Sequence, residues 1–186
     1  MMEKKVKGTM LVDLVKTIRK NKDINWEQYF TSEEWQTINS KILDPSWYPL
    51  ELYSKCGLAI YQLLAGSDVE LVRSRGKSRA RELFGGVYQA IVTKDDPLQA
   101  LKKFVAMYRL LFNFEPLSFE VIGDNHFKLM HDFNELGKDN GKAYCSQLMG
   151  TLETLIEMSG GKKINIIMTA KQWEEDPVTI FDIQWQ

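Results

Sequence analysis

The sequence predicts an α+β fold: a helical half over residues 1–114, then an antiparallel ββαββ half over residues 115–186. Three observations carry this. Apolar residues recur at helical spacing through the first half. The period drops to two after Glu115-Pro116. Glycine- and proline-containing turns then divide the second half into two pairs of short strands around one long apolar helix. The hydrophobic fraction of 44% is enough for a sizeable core, so the 186 residues are expected to form one domain.

The first helix is expected from Met10 to Lys20, with Leu11, Leu14, Val15 and Ile18 on its apolar face. Asp13, Lys16, Arg19 and Lys20 fall on its polar face, and Asn21 to Asn25 reads as a connector. Thr31 opens the next helix. Its hydroxyl can accept from the backbone N–H of Glu34 while the Glu34 carboxylate reaches back. This short helix is expected to bury Trp35, Ile38 and Ile42 and to end before Asp44-Pro45. Pro49 starts a third helix, where its missing N–H is harmless. Leu52, Tyr53, Cys56, Leu58, Ile60, Tyr61 and Leu64 surround much of that helix, which places it centrally or at an interface. Gly57 within it is expected to admit another backbone, at a propensity cost of about 1 kcal/mol.

Ser67 or Asp68 can cap a longer helix, in which Gly76 and Gly85-Gly86 are expected breaks or bends. Asp96-Pro97 starts the last helix of this half, followed by a stripe of Leu98, Leu101, Phe104, Val105, Tyr108, Leu111 and Phe112. In the second half, Leu117, Phe119 and Val121 share one strand face. Phe127, Leu129, His131 and Phe133 share another, across the turn Gly123-Asp124-Asn125. That is a β-hairpin pattern. Gly137 to Gly141 reads as a loop. A helix is expected from Lys142 to Met158, with Cys145, Leu148, Met149, Leu152, Leu155 and Ile156 on one broad face. KINIIMTAKQW and VTIFDIQW then form the closing strands, joined through Glu174 to Pro177.

Basic and acidic residues nearly cancel, 24 against 25, for a net charge of −1. This argues against nucleic acid as a partner, because phosphate binding needs a basic excess. No apolar run reaches the ~18 residues of a membrane span, and Asp13 interrupts the N-terminal stretch before a signal peptide's apolar core could form. Cys56 and Cys145 lack CxxC spacing and are expected to be reduced thiols in a cytoplasmic protein.

The element order resembles the superfamily that joins heme–NO-binding (H-NOX) domains, 4-vinyl-reductase-type domains and the vesicle-tether subunits of the TRAPP complex. More narrowly it resembles a domain family found mainly in myxobacteria. VKGTMLVDL (Val6 to Leu14) is similar to the glycine-containing opening of these domains, and NWEQYF (Asn25 to Phe30) to their Trp-containing segment. The stretch from Ala143 through FDIQW resembles their closing helix and strands. The resemblance implies the same fold and a sensory or ligand-binding role, and it also supplies departures. Heme-binding members carry a histidine on the helix before the first hairpin, and none precedes His126 here. The Tyr-x-Ser-x-Arg triad that holds the heme propionates has no counterpart in HDFNELGK. The closing hairpin offers Thr169 and Thr179 where vinyl-reductase-type domains place cysteine, so neither heme nor a thiolate metal site is expected.

His126 and His131 are five apart on one strand, so they point to opposite faces and cannot share a metal. His131 and Asp132 likewise point apart, and no GxSxG, HExxH, GxxxxGKS or GxGxxG appears. No catalytic residue emerges. Cys145 is expected near Lys142 in the first turn of its helix, where a thiol could be activated. Cys56 reads as core, with an acylated thiol implied only by the TRAPP resemblance. In the basic run, Arg73, Lys77 and Arg81 stack at i, i+4, i+8. They form a solvated face or contact an anion or acidic partner, with Glu70 or Glu82 as the expected local offset. A small apolar ligand is expected between the helical half and the sheet, against Tyr53, Cys56, Tyr61, Tyr108, Phe112, Cys145 and Met149. The competing expectation for these aromatics is plain core. The leading reading is a non-catalytic sensory or adaptor domain that binds such a ligand or signals by dimerising. The alternative is a protein-interaction module acting through the basic helix and apolar helix faces, as a homodimer or with a partner protein.

Overall fold

A computed structural model describes residues 3–132 and 137–186. Strand β1 (Lys5–Lys7) leads directly into α1 (Gly8–Lys20). Helix α2 (Ser32–Asn39) begins at the expected capping box. The Thr31 N–H donates to Glu34 Oε2 at 2.8 Å, and the Glu34 N–H donates to Thr31 Oγ1 at 3.2 Å. Strand β2 (Trp47–Pro49) pairs antiparallel with β1, Val6 opposite Tyr48. Periodicity cannot reveal strands of three residues, so the sequence does not predict this small sheet. It ties the start of the chain to the entry of α3 (Leu50–Leu63).

Helix α4 (Val69–Gly85) is capped by Asp68, whose carboxylate accepts from the Glu70 and Leu71 N–H groups. Helix α5 (Pro97–Arg109) has proline in its first turn and Asp96 as its cap. Both start where Asp and Pro predict. Gly76, expected as a break, lies inside an uninterrupted α4. Its role is a close approach instead. A Cβ at Gly76 would collide with the Gln147 carbonyl of α6 (Gly137–Met158), and one at Gly150 of α6 would collide with the Arg73 carbonyl of α4. Glycines at these two points let α4 and α6 pack backbone to backbone. At Gly57 no backbone approaches; the nearest neighbour of an added Cβ is the Asn140 side chain.

Helix α6 begins at Gly137, five residues before the expected Lys142, so the stretch read as a loop is its first turn. The last four residues before it, Phe133 among them, lie outside the described residues. Strands β3 (Leu117–Gly123), β4 (His126–His131), β5 (Asn165–Ala170) and β6 (Thr179–Gln184) form one antiparallel sheet in the order β3-β4-β6-β5. Leu129 pairs with Phe119 on one side and Phe181 on the other. Phe127, Leu129, His131, Thr179, Phe181 and Ile183 are buried, as period two requires for one covered face. The buried cluster runs from Val6 to Trp185, so the helical half and the sheet share one core. Among the described residues no helix is long and apolar enough to cross a membrane.

Candidate functional site

Two adjoining cavities lie where α1, α3, α4, α5 and α6 converge. The outer cleft, of about 400 Å³, opens between α1, α3, α4 and α6. The inner lobe, of about 170 Å³, lies between α1, α4, α5 and α6. Asp13, Leu14, Tyr53, Arg79, Tyr144 and Gln147 line both and form the waist between them. Among the described residues no strand residue lines either cavity. The cavities lie among the helices rather than between the helical half and the sheet, and their wall from the second half is, among the described residues, α6.

The waist follows from helical spacing. Asp13 and Leu14 face it from α1, and Arg79 crosses to ion-pair with Asp13, closing one side. Tyr53 of α3 meets Tyr144 of α6 edge to face, with centroids 6.5 Å apart at 78°. Tyr144 also stacks on His131 of β4, with centroids 4.8 Å apart. A column Tyr53–Tyr144–His131 thus runs from the cavity waist to the sheet. Burial holds the Tyr53 and Tyr108 phenols well above their ordinary range, so both remain protonated. Burial likewise pushes the His131 imidazole down to about 3, and it is neutral.

The outer cleft is also lined by Tyr61 and Asn140, each of which donates a hydrogen bond to a backbone carbonyl. The Tyr61 hydroxyl donates to the Ser67 carbonyl at 2.8 Å, and the Asn140 amide donates to the Ser54 carbonyl at 2.9 Å. The inner lobe is walled by Phe84, Phe104, Met107, Leu111 and Leu148, with the Tyr108 hydroxyl its buried polar group.

Of the residues expected to line a pocket, Tyr53, Tyr61 and Tyr108 do so. Cys56, Phe112, Cys145 and Met149 line neither cavity and are packed in the core. Cys145 lies two turns into α6 and 1% exposed, not in a first turn. Burial pushes its thiol up to about 12, partly opposed by Thr179, and burial also pushes Cys56 up to about 12. Neither is an activated thiol.

The basic run divides by face. Arg73 and Lys77 both ion-pair with Glu153 of α6, Lys77 at 2.9 Å, and Arg81 reaches Glu157 of α6 at 3.5 Å. Burial alone would raise the Glu153 carboxyl; its hydrogen bonds from Arg73 and Lys77 outweigh this and hold it below the ordinary carboxylate range. The expected anion contact at Arg73, Lys77 and Arg81 is therefore occupied from within the fold, by carboxylates some eighty residues away in sequence. Arg75 and Arg79, one turn apart on a different face of α4, line the outer cleft instead. The sequence carried that signal as an i, i+4 pair, but the longer i, i+4, i+8 series masked it. His126, half-buried, meets Asp182 at 3.0 Å. Among the described residues no group of three or more His, Cys, Asp or Glu side chains is placed to hold a metal ion.

The sequence matches no family model and no curated protein. Solved structures do match. An Fe(II) unliganded H-NOX protein from K. algicida superposes with a TM-score of 0.62 at 12% identity, covering 97% of this chain and 96% of that one. An S. oneidensis H-NOX protein in the Fe(II)NO ligation state gives 0.60 at 13%, covering 97% and 99%. A T. tengcongensis H-NOX variant gives 0.57 at 10%, covering 97% of each. The chain therefore has the H-NOX fold over nearly its whole length, as the resemblance implied.

Proposed function

We propose that this chain is a non-catalytic sensory or adaptor domain that takes a small apolar ligand into the helix-lined cavities and works without heme. The observation that carries the reading is the pair of adjoining, partly open cavities between the helices. The outer one falls within the ~300–1,000 Å³ range of small-molecule pockets and mixes polar with apolar walls, while the inner one is walled mainly by aromatic and aliphatic side chains. The Tyr53–Tyr144–His131 column offers a route by which occupancy at the waist would reach the sheet.

The neighbouring H-NOX structures are described with Fe(II) and with NO bound. The residues present here do not fit such a group. On α5, the buried side chains are apolar or aromatic, and their rings pack on one another, Phe104 against Tyr108 at 5.5 Å and Tyr108 against Phe112 at 5.0 Å. The buried imidazole, His131, sits on β4 stacked against Tyr144 and lines neither cavity. The rival reading as an interaction module has less support, because Arg73, Lys77 and Arg81 are paired with α6.

The test is titration with Nile red, an uncharged apolar fluorophore, alongside hemin. A saturable blue shift with one site per chain is expected. Leu14→Trp, which fills the waist, should abolish it while leaving the circular dichroism spectrum unchanged. No saturable signal from the folded wild-type chain would overturn the ligand reading. A stoichiometric hemin complex with an axial-ligand spectrum would overturn its heme-free part.

A further inference from the structure

The outer cleft is lined by three cations, Lys20, Arg75 and Arg79, and by a single acid, Asp13. Asp13 is already paired with Arg79. Lys20 and Arg75 have no acidic partner among the described residues, although the chain as a whole is slightly acidic. The contrast within α4 is informative: Arg73, Lys77, Arg79 and Arg81 all have carboxylate partners, while Arg75, at the cleft, has none. Beyond the waist the lining loses its charge. Phe84, Phe104, Met107, Leu111 and Leu148 face the inner lobe, and α5 contributes no ionisable group except the protonated, buried Tyr108.

We propose that the ligand is an amphipathic anion, a single-chain carboxylate whose head is held at the mouth by Lys20 and Arg75 and whose hydrocarbon tail passes the Asp13–Arg79 waist into the inner lobe. This rests on the cavity reading above and deepens it by assigning the ligand's class and orientation. The physical logic has two parts. An apolar tail gains from burial in a lobe with no competing charge. A carboxylate cannot follow it there without losing hydration, so it stays where two uncommitted cations offer charge-assisted hydrogen bonds.

Calorimetric titration with decanoate and with decanol, both below their aggregation limits, tests this. Decanoate is expected to bind more tightly than decanol, and its affinity should fall as salt is raised, since both cations are solvent-exposed. Lys20→Gln and Arg75→Gln should each weaken decanoate about threefold to fivefold, the scale of an exposed ion pair, and leave decanol unchanged. If decanol binds as well as decanoate and the two variants change neither, the anionic head is wrong and the apolar cavity stands. If neither compound binds the folded chain and Nile red also fails, both readings fall together.

Discussion

His131→Phe tests how deeply the sheet's inner face is closed. The wild-type imidazole is 1% exposed on β4, stacked on Tyr144, and burial depresses it from 6.5 to about 3. The unfolded chain binds the proton more readily than the folded one, so this contribution to stability is fully present above pH 6.5. It is lost progressively as pH falls toward 3. Well below 6.5 the loss approaches about 1.4 kcal/mol per pH unit, which integrates to about 2 kcal/mol between pH 8 and pH 5. Carboxylates whose pKa is depressed by their partners, such as Glu153, add their own losses only at lower pH, near and below 4.5. Phenylalanine keeps a planar ring against Tyr144 and removes the titration. The assay is urea unfolding of both proteins at several values between pH 8 and pH 5. The wild type should lose about 2 kcal/mol more than the variant across that window. Identical pH slopes would refute the reasoning, whatever the variant's stability at neutral pH.

Two further outcomes follow from the packing. Gly76→Ala improves helix propensity by about 1 kcal/mol yet drives a Cβ into the Gln147 carbonyl, so a net loss of about 1–3 kcal/mol is expected; Gly85→Ala, with open space around it, should be neutral or slightly stabilising. Denaturant midpoints that move together would count against the close α4–α6 crossing. Cys56 and Cys145 should react with a disulfide reagent at least about a hundredfold more slowly than a free cysteine peptide until urea unfolds the chain, and fast labelling in the native state would contradict their burial.

Local chemistry was legible wherever a residue acts on its own neighbours. The Thr31–Glu34 capping box, the Asp68 and Asp96 caps, the hairpin across Asp124-Asn125 and the opposed histidines all stand where spacing placed them. These depend on contacts a few residues apart, which the sequence displays directly. The start of α6 was missed because its first turn, Gly-Lys-Asp-Asn-Gly, has turn composition and becomes helical only by docking on its neighbours, with Asn140 bonded to α3 and Gly141 lying under the Trp173 ring. β1 and β2 were missed because strands of three residues have no period to detect.

The α+β order, the caps, the alternation of the sheet and the lack of a histidine on α5 are written in residue type and short-range spacing. Tertiary structure alone decided which side chains became core, which became cavity wall and which cations remained uncommitted. Cys56 and Tyr53 lie three apart on one apolar helix, yet only Tyr53 reaches the cavity, because α6 places Tyr144 opposite it. Arg73 and Arg75 lie two apart in one basic run, yet Glu153 neutralises the first while the second faces the cleft. Such assignments depend on partners tens of residues away, and an ion pair or a packed ring is defined by that distant partner rather than by the residue that carries it.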